Sequence, residues 1–171
     1  MRGCLVFIYD KLQTKEEQEK AGLKLHPVMF GQTQAKQFFV NDSKQKRTFI
    51  IPSKKNSFIY GVIYLVQDYE EQKHKLHSYY YNSKPFTEQE MKEDLYSFKK
   101  IKVTPISFGS LKDIEHCTYD KGEELDCYCF VGNLNNKKIK HSMEKRYYRI
   151  NKLFNKSFIE MINELKERKK L

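Results

Sequence analysis

The run Cys4-Leu5-Val6-Phe7-Ile8-Tyr9-Asp10-Lys11-Leu12 decides how the rest of the chain is read. From Cys4 to Tyr9 the residues are apolar, β-branched or aromatic, which suits an extended strand, and the polar pair Asp10-Lys11 ends it in a turn. The run is too short for a secretory h-region, and no small-residue cleavage site follows it. It therefore reads as the first strand of a cytoplasmic protein. After the turn, the polar stretch from Lys11 to Gly22 is helix-prone and closes on a glycine stop.

Further strands follow this opening unit. His26–Asn41 alternates loosely and reads as one strand or two around Gly31. Arg47–Ser53 is a strand closed by Pro52 and Ser53. Asn56–Gln67 is the most apolar, with Gly61 marking a bulge or a close backbone approach. Asp68–Asn82 starts as a solvated helix and ends in Tyr79, Tyr80 and Tyr81, which suggest a rim or lid. Thr87 and Glu90 have the spacing of a capping box on a short acidic helix. Ser97–Phe108 alternates with period two, and Gly122–Asn133 is the last clear strand. Leu153, Phe154, Ser157, Phe158, Met161, Ile162 and Leu165 recur at helical spacing, so residues 146–170 are expected to lay an amphipathic helix over the sheet.

With 171 residues the chain fits one domain, and 39% hydrophobic content supplies a core without metal or disulfide staples. No apolar run is long enough to span a bilayer. Cys4, Cys117, Cys127 and Cys129 are expected as reduced thiols, with Cys127 and Cys129 on one buried face. His116, Cys117, Cys127 and Cys129 lack the spacing of zinc knuckles, so no metal or other cofactor is expected. His74 and His77 share a helix face and are read as solvated. The net charge of +10 allows a polyanion partner. Lysines around Lys137–Lys145 and Lys166–Lys170, with Tyr147 and Tyr148 to stack, would serve it. Yet lysine dominates over arginine, and Lys, Asn, Tyr, Phe and Ile all have AT-rich codons, as in a phage or an AT-rich bacterium. The charge is then compositional, and a nucleic-acid partner ranks behind the alternatives.

Four local patterns resemble the gamma-glutamylcyclotransferase-like family. Phe7-Ile8-Tyr9-Asp10-Lys11-Leu12 is similar to its opening strand and turn, usually Tyr-Gly-(Ser or Thr)-Leu. Tyr9 and Leu12 match; Asp10 stands where glycine is usual, and Lys11 where a small hydroxyl residue is usual. Tyr60-Gly61-Val62-Ile63-Tyr64 resembles its Val-x-Gly-x-hydrophobic-aromatic strand. Phe86-Thr87-Glu88-Gln89-Glu90 resembles its Leu-Asp-x-x-Glu motif, and Tyr96 then opens Tyr-x-x-x-x-Ile-x-Val. Asp126-Cys127-Tyr128-Cys129-Phe130 resembles the strand that supplies an inward tyrosine. Together these cover most of residues 4 to 131. The stretch from Val66 to Glu90 is longer than usual. A second alignment puts the acidic helix at Asp68–Leu76 and Tyr79 or Tyr80 near the catalytic position, leaving that position without a glutamate.

The resemblance implies an α+β fold with a mixed, barrel-like sheet and flanking helices. It also implies a reaction in which the amine of a γ-glutamyl group attacks its own side-chain carbonyl and releases 5-oxoproline. Ring closure supplies proximity, so one carboxylate of raised pKa can move both protons, while turn amides hold the substrate carboxylate. By resemblance Glu90 is the acid/base, and Tyr9, Asp10, Lys11, Leu12, Tyr96 and Tyr128 line the substrate. From the residues alone, Glu90 also reads as the cap of its own helix, and Tyr9 and Tyr128 as strand packing. An Asp in the turn tolerates glycine-like backbone angles but adds negative charge beside a bound anion. The expected ligand is a small γ-glutamyl compound. The alternative is a catalytically degraded member of the fold that holds a small metabolite or a protein partner.

Overall fold

The computed structural model describes residues 3–42, 45–54, 57–67, 69–81, 94–108, 119–121, 123–144, 160, 161 and 163. The chain opens with strand β1 (Cys4–Ile8), a single 3-10 turn (Lys11–Gln13) and helix α1 (Lys15–Lys20). Strands β2 (His26–Asp42), β3 (Gln45–Pro52) and β4 (Phe58–Val66) follow, then helix α2 (Tyr69–Tyr80). Strands β5 (Tyr96–Phe108), β6 (Tyr119–Lys121) and β7 (Leu125–Gly132) and helix α3 (Lys137–Glu144) complete the described elements.

The strands run in the order β3-β2-β4-β1-β7-β5-β6, and β2 also pairs with β5. That last pairing joins β2, β4, β1, β7 and β5 into a closed ring, with β3 and β6 added outside it. β1 and β7 are parallel, with Val6 opposite Tyr128, and the other pairs are antiparallel, so the barrel is mixed. This is the expected α+β class.

Closure depends on β2, which is one continuous strand of 17 residues and not two. Its first half pairs with β4 from His26 to Gln34, and its second half with β3 from Ala35 to Asp42. Pro27 cannot donate to the ladder, and the register shifts there, between Pro27 and Met29. Gly31 does not interrupt the strand. It lies opposite both Gly61 of β4 and Pro105 of β5, where a Cβ would run into Val103. Missing side-chain volume is what lets the ring close at that point.

Strand alternation sorts the apolar residues into two cores. Phe7, Ile59, Ile63, Val103, Cys127 and Cys129 belong to a cluster that contains no helix residue, which is the barrel interior. The opposite parity, including Val6, Ile8, Val62 and Phe130, packs outward against Leu76 and Tyr80 of α2, Ile139 of α3 and Met161. Cys4, Cys127 and Cys129 are free thiols, and the last two are fully buried on one face as expected.

Helix α2 corrects two readings. It continues to Tyr80, so the tyrosine run is not a rim: Tyr80 and Tyr81 are buried. His77 is not solvated either; it is buried among the rings of Tyr81, Phe98 and Phe130. The supposed basic tail after Asn136 begins as α3, whose first amides at Lys138 and Ile139 donate to the Asn136 side chain. The acidic helix expected at Thr87–Glu90, the residues His116 and Cys117, and most of the helix expected over 146–170 lie outside the described residues. Of that last stretch, Glu160, Met161 and Asn163 are described and helical.

Candidate ligand site at the first turn

β1 delivers Tyr9 and Asp10 to the end of the barrel, where the 3-10 turn begins. Tyr9 is buried, and its hydroxyl donates to the Phe130 carbonyl across the β1–β7 seam at 2.7 Å. Its polar end is therefore used inside the fold. Asp10 turns the opposite way. It has extended backbone angles (φ −96°, ψ −167°), and its Oδ1 accepts from the Leu12 amide at 3.1 Å. This is an Asx-type closure of the turn by its own side chain.

A second donor reaches the same oxygen: the Tyr80 hydroxyl, at the C-terminal end of α2, lies 3.0 Å from Asp10 Oδ1. Arg47 of β3 completes the cluster. Its guanidinium donates to the carbonyls of Tyr80 (3.0 Å) and Tyr79 (3.3 Å), capping α2 with a cation at the negative end of the helix dipole. It also lies over the Tyr96 ring, 4.7 Å from the centroid. The Tyr96 hydroxyl donates to the Thr48 carbonyl at 2.6 Å and so pins β5 to β3.

Burial pushes the Asp10 carboxyl above its ordinary range, while the Leu12 amide, the Tyr80 hydroxyl and Arg47 pull it back. Burial likewise raises the Tyr80 phenol well above its usual value, helped by the Asp10 charge. At neutral pH Tyr80 is a hydrogen-bond donor and not a base. The cluster is an acidic oxygen held by two neutral donors, with a permanent cation nearby.

Of the residues read from the sequence, the structure gathers Asp10, the Leu12 amide and Tyr96 around one point, with Tyr9 directly beneath. Lys11 is exposed. Tyr128 sits on the outer face of β7, stacked between Tyr69 and Phe98, and so faces away from Tyr9 and Cys129. Glu90 is outside the described residues. The α2 residue that meets the turn is Tyr80, one of the two tyrosines that the second alignment offers for that place. Arg47 carries no sequence signal of its own, because only the β2–β3 register brings it there.

The closed mixed barrel with helices on its outer side is the gamma-glutamylcyclotransferase-like fold. One solved structure that shares it is a gamma-glutamyl cyclotransferase, with TM-score 0.54 and 16% identity over 77% of this chain and 67% of that one. Another is a human protein described as uncharacterized, with TM-score 0.50 and 18% identity over 77% of this chain and 68% of that one. No family profile matches the sequence, and no curated protein matches it. The likeness is thus one of architecture, carried by a largely different set of side chains.

Proposed function

We propose that this chain keeps the cyclotransferase-like fold as a small-molecule binding scaffold and does not carry out the cyclotransferase reaction. The observation behind this is the Asp10 carboxylate on the Leu12 amide. In the family that the sequence resembles, the amides of this turn hold the carboxylate of the substrate. Here an internal carboxylate already accepts from one of them, and a second hydrogen bond from Tyr80 holds it in place. An incoming γ-glutamyl carboxylate would have to displace Asp10 and then sit beside its charge. Two carboxylates at one turn repel each other strongly where water is excluded. Tyr80, facing the turn, is no substitute for a glutamate, because its raised pKa keeps the proton on oxygen at neutral pH.

The test is turnover. The purified full-length chain is incubated with a panel of γ-glutamyl amines and dipeptides, and 5-oxoproline is quantified. The proposal expects no release above the uncatalysed background, with wild type and Glu90→Gln indistinguishable. Release that Glu90→Gln abolishes, in a variant with an unchanged fold, would restore the enzymatic reading with Glu90 as the acid/base.

A further inference from the structure

Between α1 and the helical residues 160–163 lies a cleft of about 550 Å³, a volume typical of small-molecule sites. Asp10, Arg47, Tyr80 and Tyr96 do not line it, so it is separate from the cluster at the first turn. Its apolar lining is Leu23, Leu25, Pro27 and Met161, all buried. Its charged lining is Lys15, Glu19 and Lys24, all exposed, and the half-buried Glu160. The apolar residues therefore form the floor and the charges the rim. Gln18 and Tyr64 complete the wall and are held from within: Gln18 Nε2 donates to the Leu12 carbonyl and the Tyr64 hydroxyl, and Tyr64 donates to the Gln13 carbonyl.

The four rim charges do not pair with one another. Among the described residues the ion pairs are Lys20 with Glu16 and Glu17, and Lys102 with Asp126. Glu160 is nonetheless held in place, because its Oε2 accepts from the Lys15 backbone amide at 3.1 Å. A ligand of one charge would meet its own sign beside the opposite one, and the two would cancel. A neutral apolar ligand would cover the rim charges and return nothing for their lost hydration. A zwitterion with an apolar side chain answers all three features at once. We infer that this cleft binds a free aliphatic α-amino acid: side chain on the Leu23–Leu25–Met161 floor, ammonium on Glu160, carboxylate on the rim lysines. The inference goes beyond the reading above, since it concerns a different part of the fold.

The experiment titrates four probes into the full-length, ¹⁵N-labelled chain: L-leucine, 4-methylpentanoate, 3-methylbutylammonium and glycine. The second lacks the ammonium of leucine, the third its carboxylate and the fourth its side chain. Leucine should move the Leu23, Leu25 and Met161 backbone signals saturably, with a dissociation constant on the order of millimolar, as expected for one buried side chain and two rim contacts. Each of the other three should bind at least about threefold more weakly, because each gives up one contact. Glu160→Gln keeps an oxygen for the Lys15 amide and removes the charge. It should weaken leucine about threefold and leave 4-methylpentanoate as it was; equal weakening of both would make Glu160 a structural residue only and overturn its role. Equal binding of leucine and any of the three partial probes to the wild-type chain would overturn the inference. So would the absence of any leucine-dependent shift at about 50 mM. The four-probe comparison on the wild-type chain decides the matter even if the variant fails to fold. Release of 5-oxoproline from γ-glutamyl compounds together with leucine binding would overturn the earlier reading and leave this one standing.

Discussion

Asp10 and Tyr80 meet 3.0 Å apart in a place where both are buried. Their contact links the first turn to the end of α2, some 70 residues later. Removing the acceptor strands two donors, the Leu12 amide and the Tyr80 hydroxyl. Asp10→Ala should therefore lose about 2–3 kcal/mol of unfolding free energy in urea, whereas Asp10→Asn, which keeps one acceptor oxygen, should lose less than half of that. Tyr80→Phe should cost about 2 kcal/mol, as expected for a hydrogen bond to a charged group. The Asp10→Ala and Tyr80→Phe losses should be clearly sub-additive in the double variant, because the two residues share one interaction. Additive losses would mean that the contact is not made in solution. At this scale the sequence was partly legible. Tyr9, Asp10 and Leu12 stood out because strand and turn chemistry are local. Tyr80 appeared only as one branch of an ambiguous alignment, and Arg47 not at all, since a long-range register positions it.

Elements carry the next set of expectations. The ring closes where β2 and β4 place Gly31 opposite Gly61. A Cβ on Gly61 would lie 2.5 Å from the Ile8 carbonyl oxygen and 2.9 Å from the Phe7 ring, and backbone cannot yield as a side-chain tip can. Gly61→Ala should cost about 3 kcal/mol, at the upper end for overpacking. Gly22→Ala, with φ of 68° and open space around it, should cost only about 1 kcal/mol. Equal costs in denaturant titrations would contradict the closure. Helix α2 supplies a pH dependence through His77. Burial, then the nearby charges of Lys73 and His74, lower its pKa from 6.5 to about 4. Since the folded value lies below the unfolded one, the unfolded chain binds the proton more readily between these limits. Stability should fall as pH drops from about 6.5 towards 4, by at most about 3 kcal/mol. His77→Phe suits the aromatic surroundings and should flatten that acid limb in thermal melts at pH 7, 6 and 5; an unchanged slope would rule out His77 as its source. Most strands could be read from apolar alternation. The single run of β2, the burial of the α2 tyrosines and helix α3 could not, because each depends on what packs against it.

At the scale of the whole molecule, the chain has a gamma-glutamylcyclotransferase-like barrel, and the proposal that it binds without turnover rests on its first turn, where Asp10 accepts from the Leu12 amide. Architecture was readable because it follows from strand order and small residues at the crossing points. The site was less so, because only the packed structure shows the Asp10 side chain folded back onto the Leu12 amide. No described helix is long and apolar enough to cross a membrane, which agrees with the short apolar runs of the sequence. The most direct measurement follows the Leu12 amide in ¹H–¹⁵N spectra of the full-length chain while a γ-glutamyl dipeptide is added at neutral pH. If Asp10 occupies the turn, the Leu12 signal stays where it is throughout the titration and moves only when Asp10 is replaced by Asn or Ala. A saturable shift of that signal in the wild-type chain, produced by the dipeptide and accompanied by 5-oxoproline, would mean that the turn still receives a substrate carboxylate.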